Sequence, residues 1–152
     1  MGSLRLKKRD SLLLSFAIVA AMFGGYLLSF FPFTMSSAET AGRLYSFYSR
    51  TTSILDLMSS YVMEYFNHSI DDLTFMYRIS ILINNVTTLR TELTEMKAVA
   101  FPTYEQSINF LDSGLQSYIN ALDYAYDLNF EQASQSAQQG TEYIKQSRNA
   151  LP

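Results

Sequence analysis

The sequence predicts an all-α protein, a single N-terminal transmembrane helix followed by an extracytoplasmic antiparallel four-helix bundle. Three observations predict it. Leu12 to Phe33 is a 22-residue apolar run, and no charge occurs between Asp10 and Glu39. Beyond the run, apolar residues recur in alternating steps of three and four, the period of one face of a helix. Residues 35–152 contain only Pro102 and the terminal Pro152 as helix-breaking prolines.

Residues 1–10 read as a short basic cytoplasmic N-terminus and residues 11–34 as a signal-anchor helix. At about 1.5 Å per residue the apolar run reaches roughly 33 Å, enough for a hydrocarbon core of about 30 Å with some tilt. Arg5, Lys7, Lys8 and Arg9 precede the run with only Asp10 opposing them, and the next basic residue is Arg43. The positive-inside bias therefore places the N-terminus in the cytoplasm and residues 35–152 outside it, in a single-pass protein of the plasma membrane. Ser36-Ser37-Ala38 offers small residues of the kind a signal peptidase accepts. The run exceeds the roughly 7–15 residues of a signal-peptide core, however, which favours an uncleaved anchor. With no cysteine in the chain, a lipobox, palmitoylation, disulfides and thiolate metal sites are excluded. An exported domain of this kind is held by its core alone.

Within the run, Ala17, Ala21, Gly25 and Ser29 are spaced by four, with Ala20 and Gly24 beside them. Such a flat face admits a neighbouring helix, so the bilayer, other membrane subunits or a second copy of the chain are the expected partners. Tyr26, Phe30, Phe31 and Phe33 gather at one end of the run, where Pro32 also falls. Aromatic rings at that depth anchor a helix at the interface.

Four stripes follow, predicting helices over about 36–66, 70–100, 103–128 and 130–150 of a bundle spanning 35–152. The first reads Ala41, Leu44, Tyr48, Leu55, Met58, Val62 and Tyr65, with Thr51 as a polar exception. The second reads Phe75, Ile79, Leu82, Val86, Leu89, Leu93, Met96 and Ala100. The third reads Tyr104, Ile108, Leu111, Leu115, Tyr118, Leu122 and Ala125. The fourth, Phe130, Ala133, Ala137, Gly140, Ile144, Ser147 and Leu151, keeps the spacing with small side chains, which permit close approach. Asn67-His68-Ser69, Ser69 with Asp72, Pro102-Thr103 with Gln106, and Asn129 with Gln132 punctuate the junctions. Short connections make neighbours antiparallel, in up-down-up-down order with crossing angles of about 20°.

Setting aside Asp10 and the four basic residues before the run leaves 13 acidic against 7 basic side chains, a formal balance of −6. Nucleic acid is thereby disfavoured as a partner, because its binding draws on clustered Lys and Arg. In the first bundle helix Tyr45, Phe47, Ile54, Leu57, Tyr61 and Phe66 lie off the main stripe. Their aromatic surface predicts either a partner-docking face, centred on Tyr45, Phe47, Tyr61 and Phe66, or a wider stripe buried within the bundle.

No catalytic, cofactor-binding or metal-binding residue is expected. His68 is the single histidine, which excludes a di-iron site built from two Glu-x-x-His pairs. Glu92 with Glu95, and Asp123 with Asp127 and Glu131, fall at helical spacings and read as solvent-facing charges. Nucleophile-base pairs, phosphate-cradling glycine loops and zinc spacings are absent. Asn67-His68-Ser69 and Asn85-Val86-Thr87 are glycosylation sequons.

These features point to a noncatalytic accessory or structural subunit of a membrane complex, working through protein–protein interaction. A sensor ectodomain is the alternative, since residues 11–150 resemble in architecture the anchored four-helix ligand-binding modules of bacterial chemoreceptors and sensor kinases. Those receptors carry a second membrane helix leading to an output domain, so a sensor of this length would signal through a partner unless the chain is a piece of a longer receptor. A surface filament subunit comes third. Its architecture is similar to that of pilins, but the processing glycine before the apolar run and the acidic residue after it are missing.

Overall fold

In a computed structural model, which describes residues 34–152, the chain forms four helices: α1 (Ser37–Phe66), α2 (Asp72–Lys97), α3 (Glu105–Tyr126) and α4 (Phe130–Asn149). A 3-10 turn at Pro102–Tyr104 leads into α3. The membrane run and its small-residue face, Ala17, Ala20, Ala21, Gly24, Gly25 and Ser29, lie outside the described residues. Among the described residues, no helix is long and apolar enough to cross a membrane.

Pairings between side chains fix the topology. Arg50 pairs with Glu92 and Arg78 with Glu64, so α1 and α2 run antiparallel. Ser107 meets Ser147 and Tyr118 meets Thr141, so α3 and α4 do the same. Arg90 of α2 reaches Asp112 and Gln116 of α3. The result is an all-α four-helix bundle whose core is lined by the predicted stripes, with Leu44, Phe75, Ile79, Leu111, Leu115 and Leu122 fully buried.

The helix ends explain where the chain turns. Ser36 caps α1 by accepting a bond from the Glu39 N–H at 3.2 Å. At the opposite end, the tip of the bundle, His68 adopts φ 55°. The Ser69 N–H donates to the Glu64 carbonyl and the His68 N–H to the Tyr65 carbonyl, each at 2.9 Å. This is the Schellman arrangement that satisfies a helix's last carbonyls, and it accounts for the lone histidine as a turn residue. Leu128 (φ 58°) ends α3 in the same way. Because Ser69 is used in closing α1, the start of α2 falls to Asp71 and not to the expected Ser69. Asp71 accepts from the Thr74 N–H at 2.7 Å. Bonds from the Thr74 side chain and backbone hold its carboxyl below the ordinary carboxylate range.

At the other end, the base, α1 is stitched to the α2–α3 connection. The Met35 N–H donates to the Val99 carbonyl at 2.7 Å, and the Phe101 N–H donates to Thr40 Oγ1 at 3.1 Å. Thr51, the polar exception on the first stripe, is buried with its hydroxyl donating to the Phe47 carbonyl at 2.8 Å. A helix accommodates a buried threonine in this way without an unpaired hydroxyl.

The small fourth stripe brings α4 close to α3. A Cβ placed on Gly140 would lie 2.7 Å from the Tyr118 ring, and one on Gly114 would lie 2.8 Å from Ile144 Cδ1 and 3.2 Å from the Gly140 carbonyl. Gly140→Ala is expected to destabilise the fold by about 1–2 kcal/mol despite alanine's higher helix propensity, because a rigid ring must move. Gly42, with open space around its Cβ position, is the control. Gly42→Ala should gain about 0.5–1 kcal/mol, and His68→Gly a similar amount by relieving a left-handed backbone. Thermal melts of the three variants check both signs.

Candidate functional site

The four helix seams differ in what fills them. Guanidinium–carboxylate pairs cross the α1/α2 and α2/α3 seams. Arg50 holds the Glu92 carboxyl below its ordinary range, chiefly by hydrogen bonding. Both partners are nearly half exposed, so the pair contributes at most about 1 kcal/mol. Its contribution is complete above Glu92's unfolded pKa and is lost as pH falls through the lower folded value. The α3/α4 seam is closed by glycine contact.

The α1/α4 seam is built differently. At the base, Tyr48 of α1 meets two buried serines, Ser107 of α3 and Ser147 of α4, at 3.0 and 2.7 Å. Three hydroxyl protons serve this cluster. Ser147 Oγ donates to the Ser107 carbonyl at 2.6 Å, and Ser107 Oγ donates to the Ser147 carbonyl at 2.9 Å. With both seryl protons committed, the Tyr48 phenol is the donor to the seryl oxygens. Three helices are thus joined by a cluster whose buried polar atoms all have partners. The Arg148 guanidinium lies 5.2 Å from the Tyr48 ring centroid.

At the tip, Tyr65 and Phe66 of α1 and Phe75 of α2 pack on Phe130 of α4. The Phe66–Phe130 centroids are 4.7 Å apart, and Tyr65 stacks on Phe130 at 5.5 Å. Between these two closures α1 and α4 separate. A groove of about 560 Å³ runs between Leu55, Met58 and Val62 on one side and Ala133, Ala137 and Thr141 on the other. It continues toward the base into a recess of about 300 Å³ that shares Leu55 and Thr141 and adds Tyr118, Ile144, Lys145 and Arg148. The α4 side of this slot is formed by the small side chains Ala133, Ala137 and Thr141, which put little volume between the helices.

The residues expected to form a docking face are divided by the structure. Phe47 is 6% exposed and belongs to the core. Tyr61 is half-buried with the Arg78 guanidinium 5.0 Å from its ring centroid. Phe66, 57% exposed, forms the tip end of the slot, and Tyr45, 65% exposed, stands alone at the surface. The four do not converge. A different exposed stripe occurs on α2, where Leu73 (78%) and Tyr77 (68%) follow each other by one turn. Asn67 caps the C-terminus of α1 and Asn85 lies mid-α2, both exposed.

Chemically, the hydroxyl cluster bonds only to itself and its flanking carbonyls, with neither imidazole nor carboxylate attached. Burial pushes the Tyr118 phenol up from its ordinary value, and burial beside Asp127 raises the Asp123 carboxyl. Among the described residues, no three His, Asp or Glu side chains converge on a metal position. The long recess, lined by carbon and by serine and threonine hydroxyls, is suited to holding an apolar group. No family model, curated protein or solved structure matches the chain, so function is argued from its own residues.

Phe130→Ala is expected to cost about 2–4 kcal/mol, since it removes the ring on which three others pack. Tyr45→Ala should stay within about 0.5 kcal/mol. Denaturant midpoints of the two variants measure the difference.

Proposed function

We propose that this chain is a noncatalytic single-pass membrane protein, anchored through residues 11–34 with its four-helix bundle on the extracytoplasmic side, and that it serves as an accessory or structural subunit of a larger membrane complex. The observation that carries this reading is the 22-residue charge-free run, preceded by four basic residues and one acidic. Its spaced small residues supply a face for a neighbouring helix. The exposed Leu73 and Tyr77, one turn apart on α2, add apolar surface that a partner would cover.

A second reading, a sensor ectodomain, draws support from the slot between α1 and α4, because such modules bind ligands between helices.

Extraction in a mild detergent followed by quantitative mass spectrometry tests the first reading. A stoichiometric set of membrane proteins should copurify, and Gly25→Leu should reduce its recovery severalfold. A chain recovered alone and unaffected by Gly25→Leu contradicts the subunit role. Protease treatment of intact cells should cleave within residues 35–152, and complete protection there would contradict the orientation.

A further inference from the structure

We propose that the α1/α4 slot binds a single long-chain fatty acid, with its hydrocarbon tail along the small residues of α4 and its carboxylate at Lys145 and Arg148. The proposal rests on the described bundle and on no partner subunit; the anchor enters only the test, where co-elution of the chain with the nanodiscs is verified before binding is read.

The shape of the slot selects a chain over a compact ligand. Its two connected recesses, about 560 and 300 Å³, fall in the range of small-molecule sites. From Phe130 to Lys145 the flanking helix advances about 22 Å, roughly the reach of an extended long-chain acyl group. The Phe66–Phe130 contact stops the slot at the tip, and the Tyr48–Ser147 bond stops it at the base. A peptide strand is a poor occupant, because its backbone N–H and carbonyl groups would find few partners among Ser59, Ser134 and Thr141.

The distribution of charge orients the ligand. The long recess has no charged side chain in its lining, whereas the basal recess has two, Lys145 and Arg148, both cationic. Lys145 reaches Glu142 only at 4.0 Å, with both side chains well exposed. Arg148 makes no ion pair among the described residues, and its stacking against Tyr48 keeps the guanidinium on the slot side. In a segment whose formal balance is −6, two such cations at the mouth of an apolar slot make a local site for an anionic head. Charge-assisted bonds from Arg and Lys to a carboxylate are among the stronger polar contacts.

The test uses the full chain in nanodiscs of zwitterionic phosphatidylcholine, which has no net charge, with empty nanodiscs as background. A fluorescent long-chain polyene carboxylate is titrated alongside the alcohol and amine of the same chain length. The carboxylate should bind saturably with one site per chain, and more tightly than the alcohol or amine. The double substitution Lys145→Gln/Arg148→Gln, at exposed positions that leave the core intact, should weaken carboxylate binding about tenfold while leaving the alcohol unchanged. Ala137→Phe, which fills the slot, should abolish binding of both, with its melting curve reporting that the fold persists. Absence of saturable binding above empty nanodiscs overturns the proposal. Equal binding of carboxylate, alcohol and amine that is indifferent to the double substitution also overturns it.

Discussion

A buried hydroxyl that has lost its water needs another partner, and at the base of this bundle three helices meet that need together. Tyr48, Ser107 and Ser147 come from α1, α3 and α4, and every proton in the cluster has an acceptor. An unmade bond there would cost about 1–3 kcal/mol, so the register of the three helices is tied to a single arrangement. Elsewhere ion pairs that are exposed or only half-buried cross from α1 to α2, and these specify register but stabilise weakly. The hydroxyl cluster and the aromatic cluster around Phe130 are therefore what attach α1 to α4.

The slot follows from the same two attachments. Closure at both ends fixes the separation of α1 and α4, and the small side chains of α4 put little volume between them. On the opposite side of α4 the packing is close. There Gly140 lies under the Tyr118 ring and Gly114 admits Ile144. One thin helix thus packs tightly against α3 and loosely against α1, an asymmetry that gives the bundle both a firm core and a place for an apolar guest.

Much of the fold is legible in the letters because it depends on periodicity. The stripes identify the buried face of each helix, and the helix bounds fall within a few residues of those expected. Interactions between distant residues are less legible. Ser147 has its place on the fourth stripe, but nothing local indicates that its hydroxyl meets residues 40 and 99 positions away. Phe47 lies off the counted stripe yet is buried, because the core-facing surface of α1 is wider than a three-four seam. Ser69 shows the limit of local capping rules, since the turn that ends one helix used the residue expected to begin the next. The composition of the fourth stripe was the available sign of a slot, because alanines opposite leucine and methionine leave space. Where that space would open depended on the two closures.

The coupling between α1 and α4 is the claim on which the slot and the bundle's register depend, and a double-mutant cycle of Tyr48→Phe and Ser147→Ala measures it directly. The two losses of stability should be non-additive by about 1 kcal/mol, because either substitution removes the same bond. Additivity within about 0.3 kcal/mol would contradict the account, since it would mean that the phenol and the serine act independently.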